Sequence, residues 1–186
     1  MALPRAFLTV AEFESLPDRD NGERRELIDG EMIVAPASVT RRQRVAKRVM
    51  LRLDEHVTTH DLGEVFVTGQ GVYLSTTNLV IPDVCFVAAA RQHIVRENYI
   101  YGAPDLIVEI LSPGNRRNDL VLKRNLYARF GVGEYWQIDP EAQRVTVLAL
   151  EGEGHAEVAP AAAGVVTSRV APGLRMAVAD LFVGVP

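Results

Sequence analysis

Between Leu106 and Leu111 the chain is apolar and rich in β-branched residues, with a single charge, Glu109, set inside the run. A stretch of this kind reads as a strand buried on both faces. An ionised carboxylate there is costly unless it is paired, hydrogen-bonded or bound to a metal. Ser112, Pro113 and Gly114 end the run, and the pattern changes to a helix. Leu122, Leu126 and Phe130 fall on one face of that helix, and Gly131 stands where it would end. Glu134 to Ile138, closed by Asp139 and Pro140, reads as a second strand. Strand, helix, strand with a charge inside the first strand is a catalytic layout more often than a purely structural one.

The remaining segments supply the surrounding layers. Thr9 and Glu12 form a capping-box pattern that opens a short helix before Pro17. Asp29-Gly30, between Glu26–Ile28 and Met32–Val34, predicts a tight hairpin. From about Thr40 a helix carries Val45, Val49, Leu53 and Val57 as its buried stripe, with Arg41, Arg42, Arg44, Lys47, Arg48 and Arg52 on the rest of its surface. Glu64–Thr68 and Val72–Leu74 read as short strands, and Val80–Val87 as another interrupted by Pro82. Residues 91–101 lack a clear period and read as a loop or weak helix. Arg144–Leu150 and His155–Val158 form a hairpin, residues 159–164 a connector, and three short elements close the chain.

At 186 residues, with 48% hydrophobic and 24% charged, the chain suits one globular domain, 1–186. No apolar run approaches a membrane span, and the N-terminus lacks a signal-peptide pattern, so a soluble cytoplasmic protein without a membrane partner is expected. The lone Cys85 excludes an intrachain disulfide and any cysteine-based zinc cluster. A net charge of −4 argues against general adhesion to nucleic acid but leaves room for a local basic face. The basic helix could follow a phosphate backbone or simply be solvated. His56 and His60 have i,i+4 spacing, but Val57 stands where a zinc protease would need its glutamate.

Several linked motifs carry a family resemblance. Ile81-Pro82-Asp83-Val84, the VEILSPG run with Glu109, Asp119 with Lys123 and Tyr127, and GVGEYWQIDP occur in order. RRELIDGEMIVAP precedes them and APGLRMAVADLF closes the chain. Together they resemble the signature of the Uma-two family, restriction-endonuclease-like proteins of the PD-(D/E)XK nuclease superfamily. The resemblance implies an α/β fold, a mixed β-sheet flanked by helices with additional hairpins. It implies a metal-dependent endonuclease acting on DNA, with a homodimer as a plausible assembly. The rival reading is a nucleic-acid-binding or assembly module that keeps the fold without turnover.

On that resemblance, Asp83 and Glu109 are the metal ligands, and Glu26 is an auxiliary acid. Hard oxygen ligands favour Mg2+ or Mn2+. The usual strand lysine would stand two residues after Glu109, where this chain has Leu111. The family supplies its lysine from the following helix, and Lys123 matches that place, as the water-positioning or charge-stabilising group. The competing reading makes Asp119 and Lys123 a surface pair. For Glu26 the alternative is a solvated hairpin charge, and for Glu109 a buried ion pair with an arginine. Relatives commonly carry a histidine where this chain has Arg42. Asp105 also follows a proline, but four strand steps from Glu109, about 13 Å, are too far to share one ion. It is expected to cap the strand entry.

Overall fold

The computed structural model describes residues 7–17, 23–35, 40–112, 118–158 and 164–185, with backbone alone at 118–119. Thr9 caps helix α1 (Val10–Glu14) through the reciprocal box with Glu12. The hairpin of β1 (Arg24–Ile28) and β2 (Glu31–Ala35) turns on Asp29 and Gly30, both left-handed at φ 50° and 76°. Two such residues give the turn the twist its strands require. Helix α2 (Thr40–Thr59) buries Val45, Val49, Leu53 and Val57, but it also buries Arg42, which sequence alone assigns to the surface. Arg42 lies three residues before Val45 and so continues the same stripe.

Strands β3 (Gly63–Val67), β4 (Gly71–Ser75), β5 (Asn78–Val80) and β6 (Val84–Ala88) follow. The apolar run 80–87 is therefore divided between two strands in different sheets. Pro82, which has no amide for a ladder, marks the crossing. Residues 91–101, expected as a loop or weak helix, include the end of a 3-10 turn (Ala89–Ile94) and β7 (Tyr99–Tyr101), parallel to β4. Three residues are too few to show a strand period. After β8 (Leu106–Ile110), a π-helical turn (Asn118–Lys123) leads into α3 (Arg124–Arg129), then β9 (Glu134–Asp139). Strands β10 (Arg144–Glu151) and β11 (Gly154–Glu157) form the expected hairpin. Strands β12 (Val165–Thr167) and β13 (Arg175–Ala177) pair as a ribbon before α4 (Val178–Phe182). Most of the expected connector, residues 159–163, lies outside the described residues.

A six-stranded mixed sheet runs β11-β10-β9-β8-β6-β3, and a five-stranded mixed sheet runs β2-β1-β5-β4-β7. Within the larger sheet β8 and β9 are parallel, as strand–helix–strand requires. Alternation divides β6 and β8 cleanly. Val84, Phe86, Leu106, Val108 and Ile110 pack with the stripe of α2 and with Leu181 and Phe182 of α4. Cys85, Val87 and Ile107 turn the other way, toward Leu126 and Tyr127 of α3 and the inner face of the smaller sheet. Helix α1 covers that sheet's outer face, with Val10 and Phe13 on Leu27 and Leu79. Glu109 shares the parity of Ile107, so it faces the layer between the two sheets.

The segment between β8 and β9 departs from expectation in one respect. Leu122 is not in the buried stripe but 42% exposed, whereas Lys123 is 1% exposed. An α-helix advances about 100° per residue, but the π turn is wider, so residues four apart across it no longer share a face. Among the described residues no helix is long and apolar enough to cross a membrane.

Candidate active site

The site is assembled where the two sheets meet. Val84 is registered against Val108 in the antiparallel β6–β8 pair. One step outward, Asp83 and Glu109 therefore stand opposite each other, on the same face. Asp83 is oriented by the Ile110 amide, which donates to its Oδ2 at 2.8 Å. Strand β1 contributes from the second sheet, where Arg24 and Glu26 share a face by the two-residue period. Glu26 Oε1 accepts the Ile81 amide at 2.8 Å, and Arg24 Nη1 donates to the Ile81 carbonyl at 2.9 Å. Both backbone groups of Ile81, the residue that leads from one sheet into the other, are thus held by β1.

Lys123 enters from the end of the π turn and joins these carboxylates. Its Nζ lies 2.7 Å from Glu109 Oε1 and 2.8 Å from both oxygens of Glu26. Tyr127, one α-helical turn on, donates its hydroxyl to Glu109 Oε1 at 3.0 Å. Arg42 grips Asp83 side-on: Nη2 is 2.7 Å from Oδ2, and Nε is 3.0 Å from each oxygen. The same Nη2 is 3.5 Å from Glu109 Oε2. Arg24 adds weaker contacts, 3.4 Å to Asp83 and 3.8 Å to Glu109. Three carboxylates and three cations thus balance in formal charge. Glu26, Arg42, Asp83, Glu109 and Lys123 are all at most 4% exposed.

Burial works against ionised Glu109, yet Lys123, Arg24 and Arg42 together hold its carboxyl below the usual range. Burial, reinforced by the charge of Glu109, pushes Asp83 up despite Arg42 and Arg24. Burial also drives the Tyr127 hydroxyl well above its ordinary value, with Glu109 adding to the shift, so Tyr127 acts as a fixed donor.

One oxygen stands apart. Glu109 Oε2 is buried and accepts no hydrogen bond among the described residues. Glu134 gives the contrast: equally buried, it accepts from Trp136 Nε1, Ser168 Oγ and the Arg169 amide, and so anchors the C-terminal segment to β9. Glu134 is a satisfied core carboxylate; Glu109 retains unused acceptor capacity beside Asp83. Hard carboxylate oxygens suit Mg2+ or Mn2+, and an orphaned anionic oxygen suits any cation. Among the described residues no group of three or more acidic, histidine or cysteine side chains is gathered closely enough to hold a metal. The physical reason is local: cationic side chains stand between the carboxylates.

The four residues proposed from sequence, Glu26, Asp83, Glu109 and Lys123, are brought together. A solvated Glu26 and a surface Lys123 are both excluded by burial, while the Asp119 side chain lies outside the described residues. Glu109 does form ion pairs with arginines, but its shortest cationic contact is Lys123. Asp105 caps the strand entry as expected, accepting from the Ala88 amide at 2.8 Å and pairing with Arg91 at 3.0 Å. His56 and His60 meet backbone carbonyls. Sequence reasoning missed Arg24 and Arg42 as members of the site. Arg42's place in the α2 stripe, and Arg24's shared face with Glu26, were the signals available.

Other basic residues of α2 have structural duties. Arg48 donates to the Leu181 carbonyl at 3.1 Å and Arg44 to that of Gly184 at 3.4 Å, near the end of α4. The Leu181 carbonyl is one that the end of α4 leaves open.

Three comparisons bear on this arrangement. No curated protein matches the chain. A crystal structure from Anabaena variabilis ATCC 29413, described as "a putative nuclease belonging to DUF820", superposes with a TM-score of 0.78. It covers 96% of this chain and 99% of its own at 21% identity, a likeness that establishes the fold. The family model Uma2, described as "Putative restriction endonuclease", matches residues 10–179, nearly the whole length, and the chain belongs to that family.

Proposed function

We propose that this chain is a nuclease that hydrolyses DNA phosphodiester bonds with Mg2+ or Mn2+, as one catalytic domain over residues 1–186. The observation that carries the reading is the convergence of Asp83, Glu109 and Lys123 from two strands and a helix, with Glu109 Oε2 left without a hydrogen bond. Family membership points the same way.

In this reading Asp83 and Glu109 hold the metal, which would polarise the phosphodiester and make an attacking water more acidic. The chain's own groups prepare that chemistry. The Ile110 amide aims Asp83, and the Tyr127 hydroxyl and Lys123 fix one oxygen of Glu109, leaving the other turned toward Asp83. Lys123 pairs with Glu26 and Glu109 and would provide a compact positive charge for negative charge that develops at the phosphate. Glu26 holds Lys123 in place and is the auxiliary acid of the centre. A cleft of about 210 Å³ on the larger sheet is lined by Leu111, Arg124, Gln137, Asp139, Arg144 and Glu157. A homodimer would present two such centres to the two strands of a duplex.

The test is thermal unfolding with and without Mn2+. Binding to the native state should raise the melting temperature as RT ln(1 + [L]/Kd) requires. Asp83→Asn and Glu109→Gln should each abolish the rise. An unchanged Mn2+ response in both variants would sink the ligand assignment. The balanced charges of the centre favour the second reading, a nucleic-acid-binding module without turnover. Binding of DNA without any metal response or cleavage would select it.

A further inference from the structure

We propose that Arg42 is an internal cation that a divalent metal must displace, so that this side chain sets how tightly the centre binds metal. The inference rests on the metal-dependent reading above and adds a residue to it.

The geometry is specific. Arg42 Nη2 lies between the facing carboxylates, 2.7 Å from Asp83 Oδ2 and 3.5 Å from Glu109 Oε2. The guanidinium thus occupies the two carboxylates that would hold a metal. A guanidinium remains charged at any working pH and matches a carboxylate side-on. Its hold on Asp83 is therefore not released by ordinary changes in acidity. Arg42 is 4% exposed and pairs with Asp83 and Glu109, themselves at most 4% exposed. Turning it out costs a buried ion pair, which a metal must offset before it binds with net gain.

Lys123 is placed differently. It pairs with Glu109 Oε1 and Glu26, leaving Glu109 Oε2 clear, so metal and Lys123 need not compete for one oxygen. Of the two cations with short bonds to the proposed ligands, Arg42 blocks the shared space and Lys123 flanks it. Exchange of one cation for another also keeps the centre near electroneutrality. Binding a divalent ion with Arg42 still in place would instead add a second strong positive charge within a few ångströms of the guanidinium.

Calorimetric titration of the full chain with Mn2+ alone tests the exchange. Arg42→Gln and Arg42→His should bind Mn2+ roughly tenfold or more tightly than the unaltered protein, because a fixed positive charge beside the ligands is removed or reduced. Equal or weaker binding in either folded variant overturns the proposal while leaving the metal-dependent reading intact. No binding in the variants or the unaltered protein overturns both. Should the variants fail to fold, Mn2+-soaked crystals of the unaltered protein decide. Metal on Asp83 and Glu109 with Arg42 turned away supports exchange; metal on both with Arg42 still side-on to Asp83 refutes it. Absence of metal from Asp83 and Glu109 in those crystals again overturns both.

Discussion

Replacing Lys123 by methionine should destabilise the metal-free protein by about 3–5 kcal/mol, the range found when one partner of a buried ion pair is removed. Methionine fills similar space but leaves Glu26 and Glu109 facing each other without their shared ammonium, at 2% and 0% exposure. Urea unfolding in the presence of a chelator measures the loss. Adding Glu26→Gln to Lys123→Met should recover part of it, because one uncompensated carboxylate is then gone. A double-mutant cycle with no coupling between positions 26 and 123 would contradict the 2.8 Å pairing as an energetic interaction. On a substrate cut by the unaltered protein, Lys123→Met should also lower cleavage by about 10²-fold or more, as loss of one electrostatic stabiliser does. Lys123→Arg should rescue poorly, since the broad guanidinium does not fit the place of a compact ammonium. Full activity in Lys123→Met would remove Lys123 from the mechanism whatever its part in stability.

Asp83→Asn and Glu109→Gln should each reduce cleavage by about 10²–10³-fold or more, through loss of a charged metal ligand. Their effects on folding should differ. Glu109→Gln removes the anion that Lys123, Arg24 and Arg42 all approach, whereas Asp83→Asn removes a carboxylate already disfavoured by burial and by Glu109. Unfolding in chelator should therefore show the larger loss for Glu109→Gln. Comparable stability with activity retained in either variant would count directly against the catalytic assignment.

The parts visible in the sequence are those governed by local rules. Asp29-Gly30 specifies its turn, Thr9 and Glu12 their cap, and Val45, Val49, Leu53 and Val57 their helical face, and each is found in place. The burial of Glu109 follows from its apolar neighbours on both sides. Arg42 was harder because its charge outweighed its periodicity: an arginine at a stripe position is buried only when a partner waits there. That partner, Asp83, lies in a different element, so the pairing is a tertiary fact. Strand β7 has only three residues and a parallel partner distant in sequence. Leu122 lies outside its expected stripe because apolar spacing cannot distinguish an α turn from a π turn. Lys123 was named on family resemblance alone; its burial follows the wider turn.

The crossing residue, Ile81, gives the centre a consequence for motion. Its N–H is held by Glu26 and its C=O by Arg24, both from β1, just before the chain passes into the sheet that carries Glu109. That amide exchanges only once its hydrogen bond to Glu26 opens. Deuterium exchange at Ile81 therefore reads the free energy of opening the centre itself, in the absence of DNA and metal. Where that exchange keeps pace with the central amides of β8, the two sheets breathe as one cooperative unit, and substrate access and global unfolding share a common barrier. Where it runs faster, the seam is a separate and softer unit, opening the buried charges to solvent while the rest of the molecule stays closed.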